Sequence, residues 1–405
     1  MTVLAPASVL ATVELAPRDP ILGVTEAFNA DTNPKKVNLG VGVYCDDTGK
    51  VPLLDCVRRA ERELTDRAAP RGYLPIDGLP AYDKAVQQLL FGANSEIVTS
   101  GRAITVQALG GTGGLKLGSD FLRRFAPAAA IWISDPSWDN HRALFEYAGF
   151  TVNTYRYYDS ATRGLDFAAM RASIATIPAG DIVVLHACCH NPTGVDPTPQ
   201  QWTEIVELVR ARGLVPFVDI AYQGFCVGLE PDGALVRQFA ATPGPMFVAS
   251  SFSKSFSLYG ERVGALTIVG ATKDESTRAL SQLKRLIRTN YSNPPTHGGQ
   301  LVATVLGNAE LRALWEGELA TMRERIKSVR ATLAKRLRAL APKADFGFIT
   351  AQHGMFSYSG LTREQVARLA KEHSVYAVES GRICVAAINS HNVEHVAQAI
   401  ASVVA

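Results

Sequence analysis

Lys254 closes the string Ser251-Phe252-Ser253-Lys254, and Arg262 lies shortly beyond it. A lysine amine can capture a carbonyl carbon and then carry a proton, so one side chain offers both covalent and acid–base chemistry. Elsewhere the chain presents Gly110-Gly111-Thr112-Gly113-Gly114, Ser137-Trp138, His190-Asn191-Pro192-Thr193-Gly194, and Asp219 with Tyr222 close behind. Backbone N–H groups at Gly111 and Thr112 could cradle a phosphate without side-chain obstruction, helped by the Ser251 hydroxyl and the Arg262 fork. A buried Asp219 would supply the counter-charge for a protonated ring nitrogen. Tyr222 and Asn191 could hydrogen-bond a ring oxygen, and Trp138 could stack on a ring face.

Taken singly, each has an ordinary explanation. The glycine run serves a tight turn as well as a phosphate, and it matches neither GxGxxG nor GxxxxGK[ST]. Trp138 alone suits a core, Asp219 alone a helix cap, and Lys254 alone a solvated surface. Their positions unite them. Short β-branched runs at Ile104–Leu109, Ala130–Ser134, Ile182–Cys188, Leu214–Val218, Met246–Ser250 and Val263–Val269 read as buried strands. Amphipathic stretches such as Gln200–Arg212, with Trp202, Ile205, Val206 and Val209 on one face, lie between several of them. This alternation predicts an α/β fold, a mostly parallel sheet covered by helices on both faces. Such sheets bind ligands at the carboxyl ends of their strands, where five of the six runs place these residues. Together they are the parts that a pyridoxal phosphate cofactor needs.

His186, Cys188, Cys189 and His190 have the composition of zinc ligands. In an extended strand, residues 186 and 190 would lie about 13 Å apart at roughly 3.3 Å per residue, too far for one tetrahedral ion. No metal is expected.

A chain of 405 residues exceeds one ordinary core. The texture changes near residue 310: Leu314–Leu340 reads as one long helix, followed by shorter strands and helices. A smaller α+β domain built from both chain ends is expected, with residues 1–50 as arm and part of it, 51–315 as the large domain and 316–405 as its remainder. With 41 Lys+Arg against 38 Asp+Glu, the net charge of +3 argues against a nucleic-acid partner. Charges and glycines interrupt every apolar run, so no membrane span is expected. Met1–Ala16 is apolar but lacks a basic start, since the first positive side chain is Arg18 and Glu14 intervenes. Six cysteines in so long a chain make no disulfide framework, which suggests a reduced, cytoplasmic protein.

The chain resembles the class I (fold type I) aminotransferases, specifically the bacterial aspartate and aromatic-amino-acid group. The motifs are Asn38-Leu39-Gly40-Val41-Gly42-Val43-Tyr44, Gly72-Tyr73-Leu74-Pro75-Ile76-Asp77-Gly78, Gly111-Thr112-Gly113 and Ser137-Trp138. His190 to Gly194, Asp219 to Phe225, Ser251 to Lys254, Glu261 to Gly264, Arg288 to Pro295, Gly354-Met355-Phe356 and Gly381-Arg382 follow in family order. The resemblance implies that Lys254 is the Schiff-base lysine, Asp219 the partner of the pyridine nitrogen and His141 its support. It implies that Tyr222 and Asn191 hold the ring oxygen, and that Gly111, Thr112, Ser251 and Arg262 hold the phosphate. Arg382 would bind the substrate α-carboxylate, with Asn191 and the Gly42 backbone beside it. Tyr73, Arg288 and Ser292 would serve the neighbouring subunit's site, so a homodimer with shared sites is implied.

The same resemblance bears on the substrate. Arg288 and Arg382 suit dicarboxylates, but relatives that accept aromatic substrates keep both. Enzymes dedicated to aspartate commonly place Lys, Thr and Asn where this chain has Cys45, Val51 and Gly72. Smaller or apolar groups lower the desolvation cost for an entering aromatic ring. The expectation is therefore ping-pong transfer, through pyridoxamine phosphate, from aromatic amino acids and aspartate to 2-oxoglutarate. A dedicated aspartate aminotransferase is the alternative, and a catalytically silent ligand sensor a distant one. Decarboxylases, lyases and synthases share the scaffold, and the second arginine favours transamination over them.

Overall fold

Alternate residues of the central strands enter opposite hydrophobic cores: Ile182 and Val184 pack into one, Val183 and Leu185 into the other. That period of two, with apolar residues on both faces, is what a sheet covered on both sides requires. The computed structural model describes residues 8–16 and 20–404, so residues 1–7 of the apolar N-terminal stretch lie outside the described residues. The sheet has seven strands. They are β1 (Ala103–Leu109), β2 (Ile131–Asp135), β3 (Val152–Arg156), β4 (Ile182–His186), β5 (Val215–Ile220), β6 (Met246–Ser251) and β7 (Val263–Val269). Their spatial order is β1-β7-β6-β5-β4-β2-β3. Strands β2 to β6 run parallel, whereas β7 is antiparallel to both β6 and β1. All six expected strands are present. The edge strand β3 was not among them, because only Val152 and Tyr155 are buried and Asn153, Thr154 and Arg156 mask the pattern.

Local signals set the helix boundaries. Pro199–Ala211 begins behind a capping box in which Thr198 and Gln201 satisfy each other's backbone N–H, with Pro199 at the first helical position. Trp202, Ile205, Val206 and Val209 form its buried face, as expected. The long helix starts at Ala309 rather than 314, because the Asn308 side chain accepts from the N–H groups of Glu310 and Leu311.

A smaller core draws on both chain ends. Val37 and Leu39 pack with Leu333, Leu337, Ile383 and Ile400. A short parallel pairing of Val37–Asn38 with Val375–Tyr376 stitches the ends together, and within the C-terminal part Phe356–Tyr358 pairs antiparallel with Arg382–Cys384. The helix Ala309–Leu340 serves both cores, placing Trp315, Leu319, Met322 and Ile326 in one and Leu333, Ala334 and Leu337 in the other. The expected division at 315/316 thus runs through a helix, and the change of core falls between residues 326 and 333.

Candidate active site

The carboxyl ends of the parallel strands converge on one cavity of about 310 Å³. Gly42, Gly111, Thr112, Trp138, Asn191, Asp219, Tyr222, Ser251, Lys254, Arg262 and Arg382 all line it. β1 feeds directly into the helix Gly110–Phe125, whose first turn contains Gly111 and Thr112 and leaves N–H groups without an i−4 carbonyl. Asp219 lies on β5, with Tyr222 just past it, and Ser251 ends β6. Arg262 arrives by a different route. Because β7 runs antiparallel, the residue before it sits at the carboxyl ends of β1 and β6, where Val263 pairs with Leu109 and Gly264 with Ser251. Glycine is needed at 264, since a Cβ there would come within 2.2 Å of the Gly110 backbone.

Charge is arranged around the cavity floor. His141, fully buried, hydrogen-bonds Asp219 Oδ2 through Nε2 at 2.9 Å, and its Nδ1 meets Ser137 Oγ at 3.0 Å. Burial opposes charge on Asp219, yet the His141 hydrogen bond, with help from the nearby Lys254 charge, holds its carboxyl below the usual range. Lys254 is half-buried because one side faces the cavity; its amine stands 4.8 Å from the centre of the Tyr222 ring. Desolvation pulls its pKa down to about 8, with Arg262 and Arg382 repelling its charge against the pull of Asp219. Burial pushes the Tyr222 phenol far up, so its hydroxyl stays neutral. Arg382 is buried; Nη1 donates to Asn191 Oδ1 at 3.1 Å and Nη2 to Gly40 O at 2.7 Å. Its Nε is buried without a hydrogen-bond partner.

Three expected residues stand apart. Tyr73 is 97% exposed, Arg288 is exposed and bonded to Ser292, and none of the three lines this chain's cavity. Nor do Cys45, Val51 and Gly72. Val41, Val43, Leu115, His186, Ser253, Tyr259 and Phe356 line it but were not singled out as site residues. Most lay inside or beside the motifs quoted above; Leu115 could have been found one helical turn beyond Gly111.

The zinc-like cluster needs a correction. β4 ends at His186, and Cys189 takes a left-handed turn (φ 51°), so the extended spacing does not apply. The rings of His186 and His190 lie 4.3 Å apart. Both nitrogens of His190 are engaged, with Ser134 Oγ and Thr193 Oγ1 at 2.8 Å each, and Tyr157 stacks on its ring. Cys189, Asp196 and Cys226 offer ligand atoms within 4.8 Å of one another. The Asp196 oxygens already accept from the N–H groups of Cys189 and His190, and burial pushes the Cys189 thiol far up. These groups secure the turn that carries Asn191.

A lysine, an acid and a phosphate-suited helix start at one end of the α/β sheet, facing the buried Arg382 of a separate two-stranded sheet across one cavity, are the groups of a carbonyl-capturing, amine-handling catalyst. The match to the family model for class I and II aminotransferases spans residues 34–400, and the chain belongs to that family. An aspartate aminotransferase of Pseudomonas aeruginosa is 59% identical, over 98% of this chain and all of that one. The aromatic-amino-acid aminotransferase of Escherichia coli is 47% identical, over 95% of this chain and 97% of its own length. The crystal structure of an aromatic-amino-acid aminotransferase from Burkholderia pseudomallei, covalently bound to pyridoxal phosphate, superposes with a TM-score of 0.96. Its identity is 61%, covering 98% of this chain and all of that one.

Proposed function

We infer that this chain is a pyridoxal-phosphate-dependent aminotransferase that moves the amino group of aromatic amino acids and of aspartate to 2-oxoglutarate by a ping-pong route. The observation that carries the reading is the gathering of Lys254, Asp219, Asn191, Tyr222, Arg262 and Arg382 around one cavity. Its walls fit the cofactor. A Cβ at Gly110 would come within 2.4 Å of Arg262 Nη2, and one at Gly111 within 3.0 Å of the Ser251 side chain, so side chains there would fill the phosphate cradle. The donor set also fits, with N–H groups, a hydroxyl and a guanidinium at one end and a carboxylate at the other.

When bound, pyridoxal phosphate supplies an electron sink and carries the amino group between the two half-reactions. The chain's own residues do the rest. Gly111, Thr112, Ser251 and Arg262 anchor the phosphate. Asp219, kept ionised by His141, holds a proton on the ring nitrogen. Asn191 and Tyr222 donate to the ring oxygen, and Trp138 covers a ring face. The lowered pKa of Lys254, about 8, leaves roughly a tenth of its amine neutral at pH 7, far more than an ordinary lysine, so it can attack a carbonyl and afterwards shuttle the α-proton. Arg382 orients the α-carboxylate beside Asn191 and Gly42, using donors that the fold has already desolvated.

The aromatic preference is supported by Val41, Val43, Leu115 and Phe356, which add apolar side chains to the cavity lining. Aspartate as the dedicated substrate is the second reading, favoured by the Pseudomonas relative's name. The visible spectrum of the purified protein, before and after L-phenylalanine and separately L-aspartate, tests both. A cofactor band that responds to both amino acids supports the dual reading. A response to aspartate alone overturns the aromatic preference, and no band after supplying pyridoxal phosphate overturns the function.

The chain acts as a homodimer with shared sites. Tyr73 and Arg288 sit on two segments locked together by Lys284–Asp77 at 2.9 Å and by Asn293 Nδ2 donating to Leu74 O at 3.3 Å. Both side chains face outward, as residues completing another copy's site would. Arg288→Leu should therefore cut kcat/KM for aspartate by about 10–100-fold, the value of one charge-assisted contact, and spare phenylalanine. Steady-state kinetics on both substrates checks this, and equal losses would make Arg288 structural. The domain division is likewise proposed: 1–50 and 316–405 make the smaller unit and 51–315 the larger, which agrees with the smaller core's use of Val37, Leu39 and residues from 333 on, the shared helix changing cores in 326–333. All six cysteines are unpaired, which supports a cytoplasmic location. Among the described residues no helix is long and apolar enough to cross a membrane.

A further inference from the structure

Arg330 is 3% exposed and, among the described residues, no carboxylate pairs with it. It donates instead to backbone carbonyls of one short segment. Nη1 meets Ile349 O at 2.9 Å, and Nη2 meets Gly354 O at 2.8 Å, His353 O at 3.3 Å and Phe356 O. Burying a guanidinium without a counter-charge is costly, and burial pulls its pKa down to about 10. Capping the short helix Phe348–Ala351 would need only the Ile349 contact. The other three lie beyond that helix, on the run into Phe356.

Phe356 touches several proposed substrate groups at once. The Arg382 guanidinium lies 4.3 Å from its ring centre, and the Tyr222 ring approaches it edge-on at 6.0 Å. A Cβ on Gly42 would come within 2.7 Å of its ring. Its strand pairs with that of Arg382, with Tyr358 opposite Arg382. His353 N donates to Gly194 O at 2.6 Å, tying the same segment to the turn that bears Asn191. On the long helix, Arg330 falls between Ile326, which packs in the sheet-side core, and Leu333, which packs in the smaller one.

We propose that Arg330 is a positioning residue for the substrate carboxylate: from the helix shared by the two cores, it clamps the 349–356 segment so that Phe356 fixes the Arg382 guanidinium. This rests on the reading of Arg382 given above. A lysine there could hold one or two carbonyls as a point donor but could not span four with a rigid fork. Displacing a group that holds the carboxylate equally in the ground and transition states weakens binding and leaves kcat nearly unchanged.

The test compares the wild-type holoenzyme with Arg330→Lys and Arg330→Met. The probe is 3-phenylpropionate, an aromatic carboxylate without an amino group, titrated by calorimetry. In both variants its Kd should weaken by about 10-fold or more, and the KM for phenylalanine should rise in step, with Arg330→Lys the milder. kcat should change by less than roughly threefold and pyridoxal phosphate affinity by less than about twofold, since neither reads the carboxylate clamp alone. A folded variant that binds the probe like the wild type overturns the proposal. So does parallel loss of probe and cofactor affinity, which would mark general loosening. If Arg330→Met does not fold, Arg330→Lys decides by the same criteria. Wild-type protein that binds the probe but does not transaminate overturns the functional reading and leaves the Arg330 comparison intact. Wild-type protein that does not bind the probe overturns the proposal together with the aromatic preference.

Discussion

Lys254→Ala is expected to reduce turnover by about 10²–10⁴-fold, the usual contribution of a positioned proton-transfer group. Covalent capture of the cofactor should be lost outright, because no other amine lines the cavity among the described residues. The visible band that depends on that bond should vanish while pyridoxal phosphate still binds through the phosphate cradle. Single-turnover kinetics and the spectrum of the loaded variant check the two effects separately. Near-normal turnover would remove Lys254 from the mechanism. The same residue predicts a pH dependence. With a lowered pKa of about 8, the amine of the cofactor-free protein is mostly protonated, and so mostly unreactive, below that pH and mostly neutral above it. The rate of cofactor capture should therefore rise through about pH 8 and level off, instead of climbing towards the ordinary lysine range. A rate still rising steeply above pH 9.5 (roughly the foot of an unperturbed lysine titration) would contradict the desolvated environment.

Arg382→Leu should lower kcat/KM by about 10²–10⁴-fold for every amino acid and oxo acid the enzyme accepts. Two charge-assisted hydrogen bonds at about 1.5–3 kcal/mol each account for that range. The loss should be general, because the α-carboxylate is common to all substrates; the Arg288 variant should discriminate. The substitution also strips Asn191 Oδ1 and Gly40 O of their donor, so some loss of order around Asn191 is expected as well. Lysine at 382 should recover only part, as a point charge in place of a fork. Kinetics with phenylalanine, aspartate and 2-oxoglutarate checks this. A variant that lost only one substrate class would place Arg382 at a side-chain pocket instead.

The site was most readable where chemistry follows directly on a strand. Asp219, Asn191, Ser251 and Lys254 come within a few residues of buried β-branched runs, so the local pattern that predicts the strand also predicts which end the residue occupies. Arg262 was readable as a residue but not as a position. Only the antiparallel course of β7, a pairing across the sheet, brings it to the same end as Gly111. The turn after His186 was misread because a β-rich string gives no sign that Cys189 adopts a positive φ; the contact of Gly194 with the 353–356 segment helps to hold that turn.

By itself, then, the sequence determined the strand–helix alternation, the buried face of the helix expected at Gln200–Arg212, and the set of groups available to a cofactor. Those properties depend on residues a few positions apart, whose periodicity and hydrogen bonding act along the chain. Tertiary structure alone decided that Arg382 bonds Asn191, that Phe356 lies over the Arg382 guanidinium, and that Arg330 spans carbonyls from 349 to 356. It also decided that Tyr73 and Arg288 face away from their own cavity. Such contacts are fixed by sheet register and by the requirement that buried polar groups find partners, and both are satisfied between segments far apart in the chain.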